Sequence, residues 1–364
     1  MRKFPEAPRV VHISPAAFGD EGIFGGGERY PFELAKAMAA HTPVRLVTFG
    51  KNPRTWQDGP LSIRVLPLRG RWKGSEVNPL SEQLLGELLR ADVIHLHQWE
   101  SVVANVGVIA GHLTRRRVFA TDLGGSGKNY WRRLRLQRWV DGFLAISQFS
   151  ADFYPEMKNK NTVVLGGVDP DKFHPGPPES RRRRALFVGR LLPHKGIDRL
   201  IEAIPSDLEL LVIGRPYDAD YRLLLESRAK GKSVEFRERV EDEELREAYR
   251  TSRALVLPSV YRTTFGADAR KSELLGLTLL EGMASGTPAV CTAVGGMPEI
   301  VDDGKTGFIV DPEDLVGLGA AVERLVNLDD EAWDAMSRNA RAVSTNRSWD
   351  AMARICLATY RDAT

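Results

Sequence analysis

Cysteine is nearly missing from this chain: Cys291 and Cys356 are the only two in 364 residues. They fall on segments that read as a buried strand and a late helix, and neither has metal-ligand spacing. That excludes a disulfide-stapled scaffold and a cysteine-built metal site, and leaves two reduced packing residues. No stretch approaches the roughly eighteen apolar residues that a membrane helix needs. The opening MRKFPEAPRVVHISP carries basic residues without an apolar segment of signal-peptide length, so a cytoplasmic protein is expected. Strong net charge is lacking too. A formal +3 is too small for a dedicated nucleic-acid binder. Neither a polar low-complexity segment nor a short internal repeat appears, and 43% apolar with 27% charged residues is ordinary globular composition.

Length exceeds the usual size of one hydrophobic core, so two domains are expected. The halves differ in charge: residues 1–180 hold 24 basic against 18 acidic side chains, and residues 181–364 hold 27 against 30. Such asymmetry suits a first half that meets something anionic, such as a lipid headgroup at the inner membrane face or an acidic acceptor. Solvated surface charge explains it equally well.

In the first half, Val- and Ile-rich runs (RVVHIS, VRLVTF, SIRVLPL, DVIHLH, VFATDL, GFLAIS, TVVLGG) alternate with amphipathic segments such as ERYPFELAKAMAA and SEQLLGELLR. Continuous apolar runs mean strands buried on both faces, hence a parallel sheet between helices. The segment GVDPDKFHPGPPES (167–180) has four prolines and no apolar periodicity, which is linker composition and places a boundary near Asp171. Beyond it the alternation restarts with ALFVGR, LELLVIG, SVEFRERV, ALVLPS, PAVCTAV and GFIV. Three helices are expected over 312–364. Leu315, Leu318, Val322 and Leu325 form the buried face of the first, which Asp311 or Pro312 opens. The class is α/β: two Rossmann-like, doubly wound parallel-sheet domains, 1–170 and 171–346, facing a cleft where a ligand would bind.

The segment SELLGLTLLEGMASG sets Glu273 and Glu281 eight residues apart after the strand ALVLPS. A helix starting after Gly276 offers free N–H groups to an anion, best a phosphate. The carboxylates then suit hydroxyl groups, one sugar against each acid, which together describe a nucleotide sugar. The bland reading makes Glu281 a helix-dipole partner and Glu273 a solvated loop residue. In FVGRLLPHKG, Arg190 and Lys195 flank a turn at a strand's carboxyl end, within reach of a diphosphate leaving group. Near the N-terminus Gly25, Gly26 and Gly27 lie between strand and helix, where backbone can approach a ligand closely. They are not the GxGxxG of a dinucleotide fold, and AAFGDEGIF before them reads as a flap.

His95 and His97 share a face of the strand VIHLH. With no third ligand nearby, one histidine, His97, is assigned to the transferred sugar and the other to packing. Asp122, at the end of VFATDL, is the candidate for acceptor positioning or proton handling. The stretch WRRLRLQRW (131–139) reads as a basic helix, interfacial against anionic lipid or merely solvated. Val240, in FRERVEDEEL, is placed beside the nucleotide base.

Together, Glu273-x7-Glu281 with Gly-Leu in its middle, EGMASGTPAVCTAVGGMPEIVDDGKTGFIVDP, FVGRLLPHKG, GGGER and HLH resemble the retaining glycosyltransferases of family GT4, which have the GT-B fold. The resemblance implies Arg190 and Lys195 on the diphosphate, Glu281 on the ribose and Glu273 on the donor sugar. It further implies backbone donors at Gly276, Leu277 and Thr278, Gly26 approaching the phosphate, and His97 near the sugar's hydroxymethyl group. Asp122 and Gly25 fall on the acceptor side. It also implies no bound metal, and a last helix, 347–364, packing back on the first domain. The sequence departs from the family pattern in the polar segment VYRTTFGADARKS and in ATDLGG, which lacks a histidine.

The expected activity is transfer of a hexose-type sugar from a UDP- or GDP-sugar to a hydroxyl on a glycan, lipid or small molecule, with retained configuration and a nucleotide sugar as co-substrate. A nucleotide-sugar epimerase or hydrolase, and a non-catalytic nucleotide-sugar-binding protein, are the competing classes.

Overall fold

A computed structural model describes residues 4–15, 25–75, 77–124, 130–177, 180–271 and 273–363. The chain divides into two compact units, one of residues 1–166 with 349–364, the other of residues 167–348; Asp171 lies inside the second.

The first unit runs β1 (Val10–Ile13), α1 (Gly26–Ala39), β2 (Val44–Gly50), β3 (Arg54–Asp58), β4 (Leu61–Pro67), β5 (Gly70–Arg71), β6 (Pro79–Leu80), α2 (Leu84–Leu89), β7 (Val93–His97), α3 (Val102–Thr114), β8 (Arg117–Thr121), α4 (Trp131–Leu134), β9 (Gly142–Ala145), α5 (Gln148–Ala151) and β10 (Asn161–Val163). Its sheet has the order β10-β9-β8-β7-β1-β2-β4-β3. The pairing is parallel except for the edge strand β3, which runs antiparallel on β4. The hairpin β5–β6 stands outside this sheet.

Alternation along β7 sends Ile94 and Leu96 into an apolar core with Val103, Val108 and Trp99, and His95 and His97 to the other face. On that other face Tyr30 of α1 donates through Oη to the carbonyl of Val164 at 2.9 Å. Its ring meets Trp349 edge-on at 5.4 Å.

The second unit runs β11 (Arg182–Val188), α6 (Ile197–Ala203), β12 (Glu209–Ile213), α7 (Ala219–Ala229), β13 (Val234–Arg237), α8 (Asp242–Thr251), β14 (Ser252–Leu257), α9 (Leu277–Ala284), β15 (Ala289–Thr292), β16 (Gly307–Val310), α10 (Leu315–Asn327) and α11 (Asp330–Thr345). The final helix, α12 (Trp349–Asp362), belongs to the first unit. The second sheet is parallel throughout, in the order β13-β12-β11-β14-β15-β16. Strand order reverses beside β11 here and beside β1 in the first unit, and ligands of open α/β sheets gather at the carboxyl ends around such points.

Two local expectations need correcting. The start of α10 is set by Asp314, whose side chain accepts from the Gly317 amide at 2.8 Å, not by Asp311 or Pro312. Leu318, Val322 and Leu325 are buried as expected, each contributing about 1.5–3 kcal/mol, while Leu315 is half-exposed. The segment WRRLRLQRW is not one helix either. After α4, Arg135 takes a left-handed conformation (φ 52°) and a single 3-10 turn, Leu136–Trp139, follows; burying Leu136 requires that break. Both cysteines are buried and free. Among the described residues no helix is long and apolar enough to cross a membrane.

Candidate functional site

In the second unit the site grows from the loops that leave β11 and β14. Pairing with the end of β12 and the residues after it continues past β11, Gly189 N–H donating to Ile213 at 3.0 Å and Leu191 N–H to Arg215 at 2.9 Å. A 3-10 turn, Pro193–Lys195, then ends at Gly196 with φ 65°. Any Cβ on Gly196 would lie 2.0 Å from the Pro258 carbonyl oxygen, so only glycine lets this turn press on the end of β14. The Val260 amide donates to the His194 carbonyl at 2.9 Å and fastens the two segments together.

That contact brings Lys195 onto Glu273. Nζ lies 2.5 Å from Oε2, and Ser259 Oγ donates to the same oxygen at 2.9 Å. The side chains are 15% and 7% exposed, so this is a buried ion pair. Burial acts to raise the Glu273 carboxyl, but the Lys195 charge and the hydrogen bonds from Lys195 and Ser259 outweigh it and hold the group below its ordinary value. Gly295 (φ 62°) secures the backbone, since a Cβ there would sit 1.6 Å from the Glu273 carbonyl oxygen.

Arg190 is exposed, with its guanidinium 5.9 Å from the Tyr217 ring centre. His194 is a neighbour that sequence reasoning passed over. Burial, then the Lys195 charge, lowers it to about 4, with Glu273 opposing, and its Nε2 is buried without a partner among the described residues.

Gly276, at φ 93°, precedes α9. Leu277 and Thr278, both half-exposed, supply first-turn amides, which have no acceptor within a helix. Glu281 is buried, and Tyr249 Oη donates to its Oε2 at 2.9 Å. Val240 is half-buried in the coil between β13 and α8. The second unit therefore gathers a lysine, an arginine, a helix N-terminus and two buried carboxylates around one switch point. Such a set can hold a phosphate by charge and amides while the carboxylates accept from hydroxyls.

In the first unit Gly25 precedes α1 in extended backbone and Gly26 opens the helix; the flap AAFGDEGIF (16–24) and residues 125–129 after Asp122 lie outside the described residues. Asp122 is buried and accepts from Tyr154 Oη at 2.6 Å.

The histidine pair has a third member that the sequence reading missed. Parallel register sets His12 of β1 beside His95, and candidate ligand atoms of His12, His95 and His97 lie within 4.8 Å of one another, all three residues buried. His12 Nδ1 is 2.9 Å from His97 Nε2, and His12 Nε2 is 3.4 Å from Met38 Sδ. His95 Nδ1 meets Tyr360 Oη at 2.7 Å, and its Nε2 meets Thr121 Oγ1 at 2.8 Å. Three imidazoles could ligate a metal, but five of the six ring nitrogens here already have protein partners. Burial lowers all three, His12 to about 3, so they are neutral near pH 7.

Comparison with known proteins identifies the family. Residues 24–172 match the family described as Glycosyltransferase Family 4, and residues 169–343 the one described as Glycosyl transferases group 1. A D-inositol 3-phosphate glycosyltransferase of Frankia alni is 30% identical over 97% of this chain and 98% of its own. Its counterpart in Corynebacterium glutamicum is 28% identical over 97% and 95%. Among solved structures, Anabaena HepE in complex with UDP and glucose has a TM-score of 0.75 at 18% identity, over 97% of this chain and 99% of that one. The chain belongs to the family 4 glycosyltransferases and is a glycosyltransferase of the GT-B fold.

Proposed function

We propose that the enzyme moves a hexose-type sugar from a UDP-sugar to an acceptor hydroxyl with retained anomeric configuration and without a metal ion. The observation that carries this is the Lys195–Glu273 pair, with Ser259, in the same unit as the N-terminus of α9. Lysine has three N–H donors, so Lys195 can hold Glu273 and still meet a phosphate oxygen. With Arg190 and the Leu277 and Thr278 amides it neutralises the charge that develops as the sugar–phosphate bond breaks. Glu273 accepts from sugar hydroxyls, Glu281 from the ribose, and backbone near Val240 borders the base. His97 takes a hydroxyl of the transferred sugar, while Gly25 and Asp122 serve the acceptor side and Gly26 the phosphate.

No carboxylate here is assigned as a nucleophile. The diphosphate departs, the acceptor oxygen bonds the anomeric carbon on the face just vacated, and the acceptor's proton passes to the leaving phosphate oxygen. UDP is favoured because the solved neighbour HepE carries UDP and UDP-glucose. D-inositol 3-phosphate, in the names of the curated relatives, is the first acceptor to try.

Thermal shift with UDP-, GDP- and ADP-glucose tests the donor, since a ligand at 100 times its dissociation constant stabilises by about 2.7 kcal/mol. UDP-glucose alone should raise Tm. Stabilisation only by GDP- or ADP-glucose would overturn the nucleotide assignment, and UDP release that ignores every acceptor would replace transfer by hydrolysis.

A further inference from the structure

A neutral imidazole carries one N–H and one bare nitrogen, and its neighbours decide which is which. At the switch point of the first sheet that decision starts at Met38. Its Sδ lies 3.4 Å from His12 Nε2. A thioether accepts and never donates, so the contact is a hydrogen bond only if His12 Nε2 bears the hydrogen. His12 Nδ1 is then bare and accepts from His97 Nε2 across 2.9 Å. His97 has now used its one hydrogen, and its Nδ1 remains a lone pair, buried with no partner among the described residues. The reverse assignment sets a His12 lone pair against sulfur and strands a buried N–H donor on His97, and both are unfavourable. Met38 and His12 are 0% exposed, so water does not compete for the two nitrogens of His12.

We propose that Met38 and His12 are positioning residues that hold His97 in the tautomer whose Nδ1 accepts, making His97 a reader of hydroxyl groups rather than of phosphate or carbonyl oxygens. A hydroxyl donates to that nitrogen; an oxygen without a proton is repelled by it. This rests on the proposed function insofar as the hydroxyl belongs to the transferred sugar, whereas the tautomer itself does not depend on the reaction.

Long-range proton–nitrogen NMR of histidine-labelled protein, with His97→Asn for assignment, reads the tautomer without ligand. The expected spectrum shows a protonated Nε2 and a bare Nδ1 on His97, and Met38→Leu, which keeps the volume but removes the sulfur, moves both nitrogens toward averaged values. His12→Phe is expected to weaken UDP-glucose binding about 10-fold, one hydrogen bond's worth, and to leave UDP binding unchanged. A wild-type spectrum with the proton on Nδ1 overturns the proposal, and so does a folded His12→Phe protein that loses UDP and UDP-glucose equally. If His12→Phe does not fold, the wild-type and Met38→Leu spectra decide. If the wild-type protein binds neither ligand, the proposed donor fails while the spectrum still settles the tautomer.

Discussion

Replacing Lys195 by Met removes one charge from a pair whose atoms stand 2.5 Å apart with side chains 15% and 7% exposed. At an effective dielectric of about 20 the attraction is about 7 kcal/mol, most of it offset by desolvation of the two ions. The variant therefore does not lose 7 kcal/mol. What it loses is compensation for Glu273, which stays buried with, among the described residues, only Ser259 still donating to its Oε2, and breaking a buried pair in this way costs about 3–5 kcal/mol. Glu273→Gln should cost less, since the amide oxygen still accepts from Lys195 and Ser259. The double variant should be more stable than the sum of the singles predicts, by about 2 kcal/mol or more. Activity should not follow stability: if Lys195 meets the leaving diphosphate as proposed, Lys195→Met and the double variant should both lose at least about 100-fold in kcat/KM. Urea unfolding of the four proteins, followed by UDP-release assays, measures both. Additive stabilities within about 0.5 kcal/mol, or a double variant that regains activity, would refute the reasoning.

Gly196→Ala should destabilise the second unit by more than about 3 kcal/mol in urea unfolding, since it adds both a left-handed alanine and a Cβ 2.0 Å from the Pro258 oxygen. Tyr360→Phe removes the partner of His95 Nδ1 and should cost about 1–3 kcal/mol. Stability should also fall with acid before the carboxylates titrate. The unfolded chain protonates its histidines near pH 6.5, whereas His12 and His194 in the fold do so only at about 3 and about 4. Their contribution is complete above about pH 7 and is lost as pH drops toward those values. Replacing His194 by Gln should lower the slope between about pH 4.5 and 6 by up to about 1.4 kcal/mol per pH unit, as read from unfolding free energies.

The alternation of apolar runs was enough to indicate two doubly wound sheets, because strands buried on both faces leave an unambiguous pattern. Edge strand β3 and the hairpin β5–β6 left none, since exposed edges carry mixed residues such as Arg54 and Gln57. The break at Arg135 has no sequence signal, because arginine has no preference for a left-handed backbone; it follows from where Leu136 must be buried. At the site, sequence spacing could place Arg190 and Lys195 at a strand end, Glu273 in the loop after another strand and Glu281 in the first turns of the helix that follows. Spacing could not show that Lys195 and Glu273 meet each other across 78 positions, with Ser259 on the same oxygen. His12 was hidden for the same reason: it becomes a neighbour of His95 only through the β1–β7 register.

The most direct test is a crystal structure with UDP-glucose bound. The account predicts the diphosphate against Lys195 Nζ and the Leu277 and Thr278 amides, with Glu281 on the ribose. Density for the nucleotide elsewhere, with Lys195 still paired only to Glu273, would contradict it.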